Sequence, residues 1–387
     1  MTIGLVLSST PGYSETFFNL KIKSLKASGY KVIIFCSQSS IDFDLCTVKL
    51  FSKRYSSSLF QLIAMFWIYL GLLPYFTRVL RFIKLERDNG IPWLHIFKHL
   101  YTNSNILKSN LDWLHFGFAT HSIGREHLAK AIDARMAVSF RGYDIGIYPI
   151  KHPNCYHLLW RQVDKVHVIS DDISDLIYRN GFKGNVPLAK ITPAIDSNFF
   201  KYHKKEYTKG PVHIVSIARL HWKKGLDYTL RSLFLLKQMG VEFHYTLIGT
   251  GPECESLKFA CFQYGLGENV TFMGRLSPES IKEILTNATI YIQYSVQEGF
   301  CNAVLEAQAM GLLCVVSDAE GLAENILDGE TGWVIPKRDS QLLANKISEI
   351  IHLPIAIKES ISYQASKRVN DKFNNKLQAA QFVKFYE

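Results

Sequence analysis

The chain has 387 residues, of which 48% are hydrophobic and 20% are charged. This length and apolar content predict a globular protein of two or three domains and exclude a largely disordered chain. The net charge of +10 is uneven: residues 1–200 carry 23 Lys and Arg against 14 Asp and Glu, and the remainder carries 21 against 20. A positive surface in one half predicts an anionic partner, such as a phosphate-bearing lipid or a nucleic acid, with random surface variation as the alternative.

Strand and helix patterns alternate along the chain, which predicts parallel sheets joined by crossover helices. The strands expected in the first half are 2–8, 31–36, 112–116, 136–140, 165–169 and 188–191. Those expected in the second half are 212–217, 243–248, 269–273, 288–294, 313–317 and 332–335. The polar segment 196–210 predicts an interdomain linker, and an aromatic-rich helix is expected over about 366–386.

The apolar run 62–73 is uncharged but shorter than the roughly 20 residues that span a bilayer, so no transmembrane helix is predicted. Arg78, Arg81, Lys84 and Arg87 follow it among aromatic residues, a mixture typical of a helix at an anionic membrane surface. A core helix followed by a basic surface helix is an equally weighted alternative.

The seven cysteines have no paired spacing, which favours reduced, buried thiols in the cytoplasm. The chain opens directly into a strand without a basic leader, so no secretory signal is predicted. We therefore expect a cytoplasmic protein.

Two carboxylates, Glu298 and Glu306, lie eight positions apart across a predicted strand-to-helix turn. The strand 288–294 is apolar, Gly299 breaks the pattern, and 302–310 has helical spacing. The turn therefore follows the carboxyl end of a strand, where a helix start offers unpaired N–H groups to an anion. Carboxylates beside that anion would accept hydrogen bonds from hydroxyls. This combination predicts a ligand with phosphates and many hydroxyls, a nucleotide sugar.

Arg219 and Lys224 bracket a second predicted strand-to-helix turn. Cations are unfavourable at a helix start unless an anion lies between them, so the pair predicts a diphosphate site, with two exposed basic residues as the alternative. Gly249 and Gly251 lack the third glycine of a dinucleotide fingerprint. No His or Cys cluster has zinc spacing, so we expect chemistry without a metal.

The pattern Glu298-x7-Glu306 followed by Gly311-Leu-Leu-Cys-Val-Val-Ser-Asp318 resembles the signature of family-four retaining glycosyltransferases. Five further segments resemble that family: Ala218-Arg219-Leu220 with Lys224-Gly225, Ile248-Gly-Thr-Gly-Pro252, Asn269-Val-Thr-Phe-Met-Gly274, Ser14-Glu15-Thr16-Phe17 and Phe140-Arg-Gly-Tyr-Asp144. The last two are similar to segments of polysaccharide-building and lipopolysaccharide-building members.

The resemblance implies an α/β protein of the GT-B fold, with two Rossmann-like, doubly wound parallel-sheet domains facing across a cleft. It implies an acceptor-binding domain at 1–196, a nucleotide-sugar-binding domain at 211–362 and a terminal helix at 363–387 that crosses back to the first domain. The implied activity is retaining transfer of a hexosyl group from a nucleotide-diphosphate sugar to a saccharide acceptor, lipid-linked or a lipopolysaccharide intermediate. A nucleotide-sugar epimerase of the same fold and a non-catalytic nucleotide-sugar-binding assembly protein are the alternatives.

The resemblance also implies roles for individual residues. Glu298 would contact the donor sugar, Glu306 the ribose, and Arg219 with Lys224 the leaving diphosphate. Arg141 stands where many relatives have His, and because arginine cannot act as a general base, its expected role is electrostatic. The other donor-side candidates are Gly299, Phe300, Cys301, Asn302, Gly249, Gly251, Met273, Gly12 and Glu15, and the acceptor-side candidates are His115, Tyr143 and Asp144.

A buried, hydrogen-bonded histidine is the alternative for His115. No cofactor and no divalent metal are expected beyond the nucleotide-sugar substrate. No nucleic-acid partner is expected, because no recognition motif accompanies the basic half. Attachment to the inner face of the cell membrane, through the basic first domain, is the expected peripheral contact.

Overall fold

The computed structural model describes residues 1–12, 16–207 and 210–387. These residues divide into two compact units, one formed by 1–191 with 379–387 and the other by 192–378. Each unit contains one parallel sheet with helices packed against it. The predicted fold class of two parallel-sheet α/β domains is therefore confirmed.

The sheet of the first unit has seven parallel strands in the order β3-β2-β1-β4-β5-β6-β7. Leu5 in the central strand lies opposite Ile34 on one side and His115 on the other. The strands are β1 Thr2–Val6, β2 Lys31–Cys36, β3 Thr47–Leu50, β4 Trp113–Phe116, β5 Arg135–Phe140, β6 Lys165–Val168 and β7 Leu188–Lys190. Strand β3 was not predicted from the sequence: it is a four-residue edge strand with no fully buried residue, so it lacks the apolar run that marks the others.

The first unit also contains the helices of the amino-terminal half. They are α1 Thr16–Ala27, α2 Ser58–Leu70, α3 Phe76–Asp88, α4 Trp93–Thr102, α5 Ser104–Leu107, α6 Leu128–Ala131, α7 Gly142–Gly146, α8 Tyr148–Lys151, α9 Leu159–Gln162 and α10 Asp171–Arg179. Short 3-10 helices lie at Leu73–Tyr75 and Ala119–Ser122. Ser170 caps α10 by accepting a hydrogen bond from the Ile173 N–H, as its position before two aspartates predicts.

The sheet of the second unit has six parallel strands in the order β10-β9-β8-β11-β12-β13. All six correspond to predicted strands: β8 Val212–Ile217, β9 Phe243–Ile248, β10 Val270–Gly274, β11 Ile290–Gln293, β12 Leu313–Ser317 and β13 Trp333–Ile335. Its helices are α11 Leu226–Gln238, α12 Cys254–Gln263, α13 Pro278–Asn287, α14 Asn302–Ala309, α15 Ser340–His352 and α16 Ile355–Lys372, with 3-10 helices at Trp222–Lys224 and Glu320–Asn325.

The end of the chain forms two helices where one helix was predicted over 366–386. Helix α16 ends at Lys372, and α17 spans Asn375–Tyr386. Asn374 separates them, because its side chain accepts a hydrogen bond (2.9 Å) from the Leu377 N–H and so caps a new helix. Phe382, Phe385 and Tyr386 pack into the core of the first unit.

The segment predicted as a linker, 196–210, belongs to the second unit. Lys205 within it is 4% exposed, and its ammonium donates to the carbonyls of Leu285 (2.5 Å) and Thr286 (2.9 Å). The end of α13 therefore holds this segment. All seven cysteines are free, but only four are buried as predicted, because Cys46, Cys155 and Cys254 are partly exposed.

In the described part of the chain, no single helix is long and apolar enough to cross a membrane. The helical segments Ser58–Leu70 and Leu73–Asp88 reach the length and apolar composition of a membrane span only when they are taken together, and the pair is bent by 51°.

Candidate functional site

Lys224, which is predicted to contact the diphosphate, and Glu298, which is predicted to contact the donor sugar, form an ion pair at the carboxyl edge of the second sheet. Lys224 ends the 3-10 helix that follows β8, and Glu298 lies in the loop between β11 and α14. Both side chains are partly buried, 18% and 17% exposed. Two residues 74 positions apart thus meet at the edge where ligands of parallel sheets bind.

A close backbone approach brings these two loops together. Gly225 adopts a φ of +57°, and a Cβ on it would lie 2.1 Å from the Tyr294 carbonyl oxygen. Next to it, the Val296 N–H donates to the Lys223 carbonyl at 2.7 Å. Only glycine fits this position, because it combines a left-handed conformation with contact against backbone.

A chain of buried polar groups leads from the sheet to Glu298. The Tyr291 hydroxyl donates to Gln293 Oε1 (3.0 Å), and the Gln293 amide donates to Ser295 Oγ (2.9 Å). Ser295 Oγ lies 3.5 Å from Glu298 Oε2. Sequence reasoning missed this chain, since polar residues alternating along a buried strand look like ordinary strand positions.

The Lys224 ammonium is charged in spite of its partial burial. Burial lowers its pKa, but the Glu298 carboxylate more than offsets this, so that the pKa of Lys224 is raised. Arg219, in the same loop after β8, is exposed, and its charge acts against that of Lys224. Among the residues that the structure describes, the Arg219 guanidinium has no hydrogen-bond partner. Arg219, Lys224 and Glu298 together thus carry a net positive charge of one.

Glu306 lies in the second turn of α14 and is partly buried. Burial raises the pKa of its carboxyl to about 7. Within the described ranges, this carboxyl has no hydrogen-bond or ion-pair partner. Its charge also acts on buried Tyr291, whose pKa is raised chiefly by burial and further by Cys301 and Glu306. A half-buried acid without a partner is costly for the fold, which is typical of a group kept for a ligand.

The turn between the two carboxylates is fixed by Asn325. The Cys301 N–H donates to Asn325 Oδ1 (3.1 Å), and the Asn325 amide donates back to the Cys301 carbonyl (2.9 Å). Burial raises the pKa of the Cys301 thiol to about 12, and the Phe300 ring packs 5.7 Å from that of Phe373. Phe300 and Cys301 thus shape the turn from the inside, while buried Gly299 and partly exposed Asn302 complete it.

Gly249 and Gly251 are required by packing within the unit. A Cβ on Gly249 would lie 1.9 Å from the Ala218 carbonyl oxygen, and one on Gly251 would lie 2.2 Å from that of Leu220. The turn after β9 therefore supports the loop that carries Arg219. Met273 lies at an irregularity in the β9–β10 register and is 41% exposed. A cavity of about 530 Å³ lies at the opposite edge of this sheet, away from these residues.

In the first unit, Asp144 serves the fold rather than an open site. It is 1% exposed, and its carboxylate accepts from the Thr120 N–H (3.1 Å), the Thr120 hydroxyl (2.9 Å) and the Arg141 N–H (3.2 Å). Tyr143 is 50% exposed and Gly12 is exposed with open space around it. Glu15 and Ser14 lie outside the described residues. The Arg141 guanidinium lies 3.9 Å from the centre of the Phe17 ring.

His115 is fully buried inside the first unit, so the structure does not support an acceptor contact there. Its Nε2 lies 2.7 Å from Ser139 Oγ, and its Nδ1 lies 2.6 Å from the Tyr386 hydroxyl. Burial, with the charge of Lys21 beside it, lowers the pKa of His115 well below the ordinary range. The histidine therefore ties the terminal helix α17 to the sheet.

A cavity of about 390 Å³ at the carboxyl edge of the first sheet contains residues that sequence reasoning missed. Its polar lining comprises Ser8, Ser9, Ser37, Gln38, His121 and Arg125. Arg125 donates to Asn103 Oδ1 (2.8 Å) and lies 4.7 Å from the centre of the Phe51 ring. These residues come from separate loops, so no local motif marks them. Across the described ranges, no group of three or more His, Cys, Asp or Glu side chains could hold a metal ion.

Residues 198–368 match the family described as glycosyl transferases group 1. The second unit is a group 1 glycosyltransferase domain. This glycosyltransferase domain carries Arg219, Lys224, Glu298 and Glu306.

Three curated proteins are similar to the chain. A putative colanic acid biosynthesis glycosyltransferase of Salmonella typhimurium, WcaL, is 27% identical over 271 residues, which cover 67% of this chain and 66% of the relative. The amylovoran biosynthesis glycosyltransferase AmsK of Erwinia amylovora is 30% identical over 62% of this chain and 61% of its own length. An N,N'-diacetylbacillosaminyl-diphospho-undecaprenol alpha-1,3-N-acetylgalactosaminyltransferase of Campylobacter jejuni is 34% identical over 37% of this chain and 36% of its own length. The matches to the first two relatives thus span just under two thirds of their length.

The fold also matches solved structures. HepE of Anabaena, in complex with UDP and glucose, superposes with a TM-score of 0.74 over 99% of this chain and 98% of its own, at 16% identity. This likeness shows that the chain has the GT-B fold of the glycosyltransferase neighbours.

Proposed function

We propose that the chain transfers a hexosyl group, with retention of configuration, from a nucleotide-diphosphate sugar to a saccharide acceptor. The observation that carries this proposal is the Lys224–Glu298 pair beside exposed Arg219 in a group 1 glycosyltransferase domain. Arg219 and Lys224 would hold the diphosphate, helped by the N–H groups at the start of α14, which carry a partial positive charge of roughly half a unit.

Donor binding would exchange partners within the ion pair. Lys224 would turn from Glu298 towards a phosphate oxygen, which releases the carboxylate to accept hydrogen bonds from the sugar hydroxyls. Glu306 would gain the ribose hydroxyls as the partners that it lacks in the described structure. Glu306 would thus be better satisfied with the donor than without it, which favours donor binding.

In the transfer step, the bond between the anomeric carbon and the phosphate oxygen breaks as the acceptor oxygen bonds to the same face of the sugar. The proton of the acceptor hydroxyl passes to the departing phosphate oxygen. Negative charge grows on the diphosphate as that bond lengthens, so Arg219 and Lys224 act most strongly in the transition state. Balance of charge and atoms requires no covalent enzyme intermediate.

For the acceptor, we propose a lipid-linked saccharide in the assembly of a surface polysaccharide. Three observations support it: the relatives named for colanic acid and amylovoran biosynthesis, the relative named for a diphospho-undecaprenol acceptor, and the cavity with Arg125 in the first unit. A partly buried guanidinium beside several hydroxyls suits a phosphorylated saccharide. The protein would then work in the cytoplasm as a peripheral protein on the inner face of the cell membrane.

The test is incubation of the purified chain with UDP-, GDP- and ADP-sugars, with and without lipid-linked saccharides. A transferase releases nucleoside diphosphate only when the acceptor is present. An epimerase of the same fold would change the sugar without an acceptor, and a binding protein would do neither. Either of the last two results, with a donor that stabilises the protein against heat, would replace transfer by the corresponding alternative.

A further inference from the structure

Helix α2 has an unusual surface for a helix of a folded unit. Its 13 residues, Ser58–Leu70, include no charged side chain and no buried residue. Leu59, Leu62 and Trp67 are 67%, 65% and 64% exposed. Scattered exposed apolar residues are normal, but a contiguous apolar surface of this kind marks a binding site.

The exposed apolar surface continues onto α4. Trp93 and Leu94 are 51% and 64% exposed. The Tyr69 hydroxyl donates to the Phe97 carbonyl at 2.9 Å, and the two rings lie 6.3 Å apart. We call α2 and the exposed side chains of Trp93, Leu94 and Phe97 the apolar surface.

The segment that carries the apolar surface is rich in positive charge. Residues 51–100 contain seven Lys and Arg but only two Asp and Glu. One of those acids, Glu86, is buried between His99 (2.8 Å) and His127 (2.6 Å). The exposed cations include Lys84 and Lys98.

The apolar surface is held firmly to the first unit. The Arg78 guanidinium donates to the carbonyls of Leu107 (3.1 Å) and Ser109 (2.9 Å), which fixes α3. The contact of Glu86 with His99 joins α3 to α4, and its contact with His127 joins α3 to α6. The hydrogen bond from Tyr69 to the Phe97 carbonyl then ties α2 to α4, so the surface meets its partner as a preformed body.

We propose that the apolar surface inserts into the interfacial layer of an anionic lipid bilayer, so that α2 lies in the plane of the membrane. Exposed apolar side chains that include tryptophans, on a segment rich in lysine and arginine, fit that layer. A second copy of the chain fits less well, since it would bring two positively charged surfaces together. The bend of 51° between the two helical segments is unsuited to a spanning helix. The proposed function, transfer to a lipid-linked acceptor, explains why the protein would bind a membrane; the structural observations that support insertion do not depend on it.

The test compares two double variants in flotation with vesicles of phosphatidylcholine alone or with phosphatidylglycerol. Leu62→Glu with Trp67→Glu places charges on the apolar surface. Phe259→Glu with Phe262→Glu is the matched control, because those side chains are 60% and 79% exposed on α12 of the second unit. Both pairs are exposed, so neither should unfold the chain. We expect at least a tenfold loss of vesicle binding for the first variant and less than a twofold change for the control.

Two further measurements distinguish membrane insertion from purely electrostatic binding and from dimer formation. Lys84→Ala with Lys98→Ala should weaken binding at low salt by about fivefold per residue, while part of the binding by the parent chain survives at 0.5 M salt. Complete loss at that salt, or equal effects of the two double variants, would overturn insertion. A dimer in solution that Leu62→Glu with Trp67→Glu dissociates, without vesicle binding, would assign the surface to a second copy.

The heat stabilisation by a nucleotide sugar should be the same in the Leu62→Glu, Trp67→Glu variant as in the parent chain. A failure of membrane insertion would leave that stabilisation intact. A failure of donor binding would leave vesicle binding intact. The two proposals therefore fail separately.

Discussion

Replacing Glu306 by Gln should stabilise the ligand-free protein while weakening donor binding. Burial raises the pKa of Glu306 from 4.5 to about 7, and the carboxyl has no partner among the described residues. In the unfolded chain the group ionises near pH 4.5, but in the folded chain it resists ionisation until about pH 7. Its cost to the free energy of unfolding is thus absent below pH 4.5, grows between the two values and is constant above pH 7.

The size of the effect follows from the two pKa values. Each pKa unit corresponds to about 1.4 kcal/mol, so the shift sets an upper bound of roughly 3.5 kcal/mol at pH 8. Partial exposure of the side chain to water reduces this, so we expect a gain of about 1–3 kcal/mol for Glu306→Gln. The same substitution should weaken nucleotide-sugar binding, because glutamine cannot offer a charged acceptor to hydroxyls.

Urea unfolding at pH 8 and pH 4.5 measures the first effect, and heat stabilisation by the donor measures the second. Glu255→Gln, at an exposed position on α12, is the control and should change the free energy of unfolding by less than about 0.5 kcal/mol. A variant that is no more stable than the parent at pH 8, or that gains as much at pH 4.5, would refute the reasoning.

Three other predictions follow from the same edge of the sheet. Lys224→Ala should lower turnover by about a hundredfold or more with little change in melting temperature, because the charge of Lys224 acts on the transition state. Steady-state rates and calorimetry measure the two quantities, and equal turnover in variant and parent would discard the assignment. Donor affinity should fall by up to tenfold per pH unit below about pH 7, because Glu306 must ionise to accept hydrogen bonds from the ribose hydroxyls. Calorimetric titration of the nucleotide sugar measures this, and Glu306→Gln should show no such dependence on pH. Gly249→Ala should cost more than about 3 kcal/mol in urea unfolding, because its Cβ would lie 1.9 Å from a carbonyl oxygen. Gly267, which has open space around it and no positive φ, should tolerate Ala far better, and equal costs at the two glycines would contradict that explanation.

Periodic patterns were sufficient for most of the fold. Buried parallel strands are continuous apolar runs, so all six strands of the second sheet could be located from the sequence. Strand β3 and the break at Asn374 could not, because the first depends on pairing at a sheet edge and the second on one side-chain cap.

The same distinction between local and long-range signals decides which residues of the candidate site could be predicted. Glu298, Glu306, Arg219 and Lys224 lie in local motifs at strand ends, where sequence and topology agree. Asn325, which holds the Cys301 turn, and Arg125, which lines the cavity of the first unit, act across long separations that no local pattern marks. For His115 the sequence left two readings open, an acceptor contact and a buried, hydrogen-bonded histidine, because a strand-end position says nothing about burial; the structure agrees with the second.

The central claim is that the carboxyl edge of the second sheet binds the diphosphate of a nucleotide sugar. Calorimetric titration of the preferred donor into Arg219→Ala tests it most directly, with Arg231→Ala as the control, because both arginines are exposed on the glycosyltransferase domain. We expect at least a tenfold rise in Kd for Arg219→Ala and an unchanged Kd for Arg231→Ala. The same Kd for both variants and the parent chain would contradict the claim.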